Sequence, residues 1–311
     1  MRTLKIASRA SKLALAQSNF VAGMLEKLGA GVRISILKVS TKGDRDKSDF
    51  LYKADAVGLF TSEVENAVID GRADLAVHSL KDLPTALTDG LTVAAIPKRE
   101  SVEDALVASG AHASISDLPP GATVGTSSVR RIAQLRRLRP DLQCVPLRGN
   151  VETRLSKVAS GEVDAAVLAC AGLSRLDLAD RISAVLSPLE FLPAPAQGAL
   201  AVQVRTDDTE SVEFVAQLDH RESRIRAEAE RRILASMHGG CSIPLGVYSS
   251  INQDIIALDA VVCDLAGARY IRLSKSSHID NVTTCAEELA RELLAAGAQD
   301  ILDQIRKDRA G

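Results

Sequence analysis

Tryptophan is absent from this 311-residue sequence, and three tyrosines and five phenylalanines bring the aromatics to only 3%. That scarcity argues against recognition by base stacking or by an aromatic sugar platform, so any ligand must be held by polar or charged groups. Neither sign of charge dominates, with 38 Lys+Arg against 40 Asp+Glu, which does not suit a nucleic-acid coat. No run of roughly 18 uncharged apolar residues occurs, so no transmembrane helix and no membrane partner are expected. Met1-Arg2-Thr3-Leu4-Lys5 leads straight into a strand-like segment. It lacks the apolar stretch of roughly 7 to 15 residues that an export signal needs, and a cytoplasmic address is expected. The five cysteines, Cys144, Cys170, Cys241, Cys263 and Cys285, include no C-x-x-C pair. Neither a disulfide framework nor a metal site is indicated.

What is present is the composition of a globular protein, 46% apolar and 25% charged, in a chain long enough for two or three domains. Short apolar runs alternate with helical patterns through the first half, the signature of βαβ units and a mainly parallel sheet. Leu4 to Ala7 reads as a strand, Ser11 opens a helix stopped by Gly29, and Val32 to Val39 is the next strand. A second helix starts near Thr61 or Ser62, with Glu65 completing a capping box, and Leu75 to His78 follows as a buried strand. Gly71-Arg72-Ala73-Asp74-Leu75-Ala76-Val77 recurs as Gly161-Glu162-Val163-Asp164-Ala165-Ala166-Val167, which fits two related α/β lobes. The prolines at 188, 193 and 195 interrupt every periodicity where the lobes should join. After Glu222 a charged helix, three strands and two helices predict a smaller α+β domain with an antiparallel sheet. The expected domains are 1–98 with 199–218, 103–193, and 220–311.

Cations cluster where strands end: Arg9, Lys81, Arg130, Arg131 and Arg148, with Arg154 and Arg175 shortly after strand ends. In an open α/β sheet ligands bind outside the carboxyl ends of the strands, so these side chains are expected to face one cleft. Several convergent arginines in a net acidic chain imply a small ligand with several anionic groups. Thr126, Ser127 and Ser128 add hydroxyls and cap donors beside that charge. Asp82, among these cations, should stay ionised, and could steady a cationic intermediate, shuttle a proton, or simply cap the turn before Pro84. Cys241, in Gly239-Gly240-Cys241-Ser242-Ile243-Pro244, is a nucleophile, an attachment point or an incidental thiol. The segment Lys42 to Val57, polar and without periodicity, reads as a lid bringing Lys53 toward the ligand.

These residues fall into blocks that resemble the porphobilinogen deaminase (hydroxymethylbilane synthase) family from about Leu4 to Leu302. The blocks are Ile6-Ala7-Ser8-Arg9 with Ser11, His78-Ser79-Leu80-Lys81-Asp82-Leu83-Pro84, Gly125-Thr126-Ser127-Ser128-Val129-Arg130-Arg131, Leu147-Arg148-Gly149-Asn150 with Thr153-Arg154-Leu155, and Gly239-Gly240-Cys241. The resemblance implies two α/β lobes like those of periplasmic binding proteins and a third domain carrying a cofactor cysteine. It implies a transferase that deaminates four porphobilinogen molecules and joins them head to tail on a dipyrromethane primer, releasing hydroxymethylbilane with loss of ammonia. Cys241 would hold the dipyrromethane through a thioether and Asp82 would be the catalytic carboxylate. Ser79, Lys81, Thr126, Ser127, Ser128, Arg130 and Arg131 would bind the cofactor, while Arg9, Ser11, Arg148, Arg154, Arg175 and Lys53 would bind substrate. A monomer is expected. The sequence departs from the family at Asp55-Ala56-Val57-Gly58-Leu59-Phe60, where members commonly carry a lysine in place of Val57. The rival reading, a two-lobed anion receptor, would need neither Cys241 nor a cytoplasmic address.

Overall fold

A computed structural model describes residues 2–29, 31–41, 61–110, 114–237 and 243–310. Lys53, Cys241 and the segment 42–57 lie outside the described residues. The chain forms two compact units, Met1–Glu100 with Gly198–Arg224, and Ser101–Gln197 with Ile225–Gly311.

The first unit is built on strands β1 (Arg2–Arg9), β2 (Val32–Val39), β3 (Leu75–Ser79), β4 (Leu91–Ala95) and β10 (Leu200–Arg205), in the order β2-β1-β3-β10-β4. Side chains alternate across the sheet because the strand period is two. Leu4, Ile6, Leu75 and Val77 pack on helix α1 (Lys12–Leu28) through Val21 and Leu25. Ala7 and Ala76, on the opposite face, pack on helix α2 (Ser62–Ile69) through Val64, Ala67 and Val68. Ser11 caps α1 by accepting from the Ala14 N–H at 3.3 Å, and the helix stops at Gly29. The expected capping box on α2 does not form: Thr61 is the cap residue and makes no side-chain cap bond. Glu65 is only 3% exposed and its carboxylate is taken by Thr88 and Gln203 at 3.0 Å each, so it is turned into the core, away from the helix end.

The second unit holds a sheet of the same plan, β7-β6-β8-β5-β9, from β5 (Asp104–Ala108), β6 (Thr123–Gly125), β7 (Gln143–Val145), β8 (Ala165–Ala169) and β9 (Ala184–Leu186). Helix α3 (Val129–Leu138) covers one face through Leu135, and α4 (Val151–Ala159) covers the other through Leu155 and Val158. Each sheet is parallel only in part, since β10 runs antiparallel to β3 and β4, and β5 antiparallel to β8 and β9.

The sequence repeat is a structural one. In both copies a glycine in the left-handed region, Gly71 at φ 71° and Gly161 at φ 75°, ends the helix, a conformation that side chains with a Cβ disfavour. The repeated aspartate then stitches β3 to β1 and β8 to β6: Asp74 accepts from the Lys5 N–H and Asp164 from the Thr123 N–H, each at 2.7 Å.

The same unit carries an antiparallel sheet of β11 (Leu245–Asn252), β12 (Ile255–Cys263) and β13 (Tyr270–His278). One face, with Val247, Ile256, Leu258, Ala260 and Val262, is covered by α7 (Val282–Leu293), α8 (Gln299–Ala310) and the later residues of α6 (Arg221–Ser236). The β12–β13 turn docks on α3. Gly267, at φ 78°, lies so close that a Cβ there would stand 2.5 Å from the Arg137 nitrogen, while Arg136 Nη1 donates to the Leu265 carbonyl at 2.8 Å. The fold class is the expected one: two α/β lobes and a smaller α+β domain.

Candidate active site

In the first unit the parallel strands β1 and β3 end on the same side. Arg9 is the last residue of β1 and Ser11 caps α1 just beyond it. Ser79 closes β3, its Oγ accepting from Gln17 Nε2 of α1 at 2.8 Å, which ties the two strand ends together. A single 3-10 turn, Leu80–Asp82, follows. Leu80 and Leu83 are buried at 2% and 1% exposure, and these flanking anchors present Lys81 half-buried and Asp82 exposed. The Asp82 carboxylate forms no hydrogen bond or ion pair with any described residue.

In the second unit the parallel strands β6, β7 and β8 likewise end on one side. Thr126 is buried, its Oγ1 accepting from the Ser128 N–H at 3.2 Å. Ser127 clamps β6 to the chain after β7, donating to the Leu147 carbonyl and accepting from its N–H. Ser128 caps α3. Gly149, at φ 105°, carries the chain into Asn150, whose Oδ1 caps α4 by accepting from the Thr153 N–H at 2.8 Å. Arg154 Nε donates to the Gly149 carbonyl at 3.0 Å, and Arg175 ends the short helix α5 (Cys170–Ser174) after β8.

The arginines that look alike in sequence separate here. Arg131 spends Nε and Nη2 on Asp104 Oδ1, at 3.1 and 2.6 Å, and Nη1 on the Val167 carbonyl. Arg130 Nη1 bridges Asp104 Oδ2 at 2.7 Å and the Leu192 carbonyl at 2.6 Å. Gln197 Nε2 completes the set at 3.0 Å. Asp104 is fully buried. Burial alone would raise its pKa, but the two guanidinium groups hold the carboxyl well below the usual range, so the cluster stays ionic. Arg148 is different. It is half-buried, its Nε is shut off from solvent without an acceptor, and no described residue pairs with it. Arg130 Nε is orphaned in the same way. Unmet buried guanidinium donors call for an anionic acceptor, and a dipyrromethane or a porphobilinogen, with their acetate and propionate groups, has that chemistry. Asp104, Gln197 and Gln17 escaped sequence reasoning. A charged residue opening an otherwise apolar strand, as in Asp104-Ala105-Leu106-Val107, was the signal for the first.

Fold and strand-end chemistry thus define a class, two α/β lobes bearing cations and, in Asp82, a carboxylate without a partner among the described residues at their strand ends, joined to an α+β domain. Residues 4–213 match the family described as porphobilinogen deaminase, dipyromethane cofactor binding domain, and residues 224–295 match porphobilinogen deaminase, C-terminal domain. The porphobilinogen deaminase of Maridesulfovibrio salexigens is 45% identical over 98% of this chain and 99% of its own, and that of Nitratidesulfovibrio vulgaris (Hildenborough) 46% identical over 98% and 97%. Among solved structures, the methionine-binding protein MetQ aligns over 74% of this chain and 96% of its own at 13% identity and a TM-score of 0.45. The chain belongs to the porphobilinogen deaminase family.

Proposed function

We propose that Asp82 carries the chemistry of hydroxymethylbilane synthesis in this enzyme and that the arginines at the strand ends carry the binding. In each addition the C–N bond of the porphobilinogen aminomethyl group breaks and ammonia leaves; the methylene carbon then bonds to a pyrrole α-carbon, which gives up its proton. A fixed carboxylate offsets the substrate cation formed on ammonia loss, and it is the group that takes up the released proton. The observation that carries this reading is the exposed Asp82 carboxylate, set between two buried leucines and hydrogen-bonded to no described residue. A dipyrromethane held through a thioether at Cys241 supplies the pyrrole end that accepts the first unit. Lys81, Ser79, Thr126, Ser127, Ser128, Arg130 and Arg131 would hold its carboxylates, with Arg131 the most committed elsewhere. Arg148, with its unmet donor, together with Arg9, Ser11, Arg154 and Arg175, would hold the substrate. The working form is a cytoplasmic monomer of three domains, 1–98 with 199–218, 103–193 and 220–311.

Asp82→Asn keeps the shape and removes the charge. Turnover should fall about a hundredfold or more, as when one preorganised electrostatic group is lost, while intact mass still shows the cofactor increment. Near-normal turnover in that loaded variant would refute the assignment.

A further inference from the structure

A polar chain runs through the apolar layer between the first lobe's sheet and α2. His78, on β3 four residues before Asp82, is 6% exposed, Gln203 on β10 is fully buried and Glu65 on α2 is 3% exposed. His78 Nε2 lies 3.1 Å from Gln203 Oε1, and Gln203 Nε2 and Thr88 Oγ1 each donate to Glu65 Oε1 at 3.0 Å. The direction of this chain is set from one end. The Glu65 carboxylate accepts from the amide nitrogen of Gln203, so the amide oxygen faces His78, and the neutral ring must carry its proton on Nε2. No described residue hydrogen-bonds to Nδ1. Ala7, Val64, Ala67, Val68 and Ala76 surround the layer, where an apolar side chain would pack at less cost than four polar groups.

Asp82 ends the 3-10 turn that directly follows β3. Burial holds the His78 pKa below its ordinary value, against the pull of Glu65, the Gln203 hydrogen bond and the charge of Asp82. Among the described residues these two carboxylates act on the charge of the ring, one from α2 and one from the turn after β3. Lys81 shares that turn. Arg205, two residues beyond Gln203, is spent on the Val68 and Ala73 carbonyls and on Asp208.

We propose that His78 is a positioning residue for Asp82: held as the neutral Nε2–H tautomer by Gln203, Glu65 and Thr88, it leaves the carboxylate its full charge for the substrate cation, and as an imidazolium it blunts that charge and slows turnover. The inference rests on the role given to Asp82. Turnover should therefore decline on acidification in step with protonation of a buried imidazole. Glu65→Gln removes one of the anions that favour the imidazolium, so the acid limb should move to lower pH, by about one unit for a charge at this range. His78→Gln cannot titrate, and should lose that limb.

The test is the pH dependence of kcat for holoenzyme from wild type, Glu65→Gln and His78→Gln, with nitrogen NMR of the His78 ring in the wild-type holoenzyme. A ring that is Nε2–H at neutral pH, gains its second proton along the acid limb, and shows that limb displaced in Glu65→Gln supports the proposal. A limb unmoved in the variants, or a ring that stays neutral through it, overturns the proposal. The wild-type titration decides the matter even where a variant fails to fold. Asp82→Asn at neutral pH separates the two ideas. Retained turnover there sinks the role of Asp82, whereas lost turnover with an unmoved limb sinks that of His78 alone.

Discussion

Replacing Asp104 by asparagine would strand two buried cations. The carboxylate accepts from Arg130, twice from Arg131 and from Gln197, at 2.6 to 3.1 Å, with no exposure to solvent. An amide in its place cancels the countercharge and turns an NH₂ group toward at least one of these donors. Breaking a buried ion pair on one side costs about 3 to 5 kcal/mol, because the remaining charge is left uncompensated. At about 2 to 4 °C per kcal/mol for a folding unit of this size, the midpoint should fall by about 6 to 20 °C at pH 7. The pH dependence has a definite sign. The folded carboxyl titrates far below its unfolded value, so its contribution is complete above about pH 4 and is lost as pH falls toward the folded pKa. Thermal unfolding followed by circular dichroism should show the two proteins furthest apart at neutral pH and converging in acid. A variant within about 2 °C of wild type at pH 7 would refute the reading of Asp104 as the pin of this cluster.

Further outcomes follow from other sites. Cys241→Ser should lose one dipyrromethane from the intact mass, and a wild-type mass equal to the bare chain in an active preparation would rule out covalent priming there. Arg148→Lys should raise the KM for porphobilinogen about tenfold, since a point charge cannot replace a planar fork; an unchanged KM would return Arg148 to a surface role. Gly267→Ala must place a Cβ 2.5 Å from the Arg137 backbone at a positive φ. A loss of about 2 to 4 kcal/mol is expected in urea unfolding, and a neutral effect would show that this turn does not dock as described.

Part of this fold is legible in the sequence. The sequence places Val32 to Val39 to the residue, because β-branched residues nearly alternating with polar ones directly after Gly31 admit few alternatives, and Ser11 reads as a cap from its place before a helical period. Glu65 was misread because a glutamate three residues into a helix suits a capping box equally well. Only the sheet behind α2, with Gln203 arriving from a distant part of the chain, turns it inward. Arg130, Arg131 and Arg148 carry one chemistry in sequence. What distinguishes them is Asp104, placed beside α3 by a strand order that no local pattern reveals. The antiparallel members of both sheets are hidden for the same reason, since pairing between distant parts of the chain leaves no mark on either strand alone.

The position of β10 bears on how the chain is made. All five strands of the second lobe lie between residues 104 and 186, so that lobe can close as soon as its own stretch has emerged from the ribosome. The first lobe cannot. Its third and fourth strands, complete by Ala95, are joined in the sheet through Leu200–Arg205, which at about 5 to 20 residues per second is synthesised roughly 5 to 20 seconds later. For that interval an apolar edge of β3 stands open, the kind of surface that pairs with whatever strand it meets. The N-terminal lobe, first to be translated, is therefore the later of the two α/β lobes to be finished, and it is the one for which a chaperone has the most time to act.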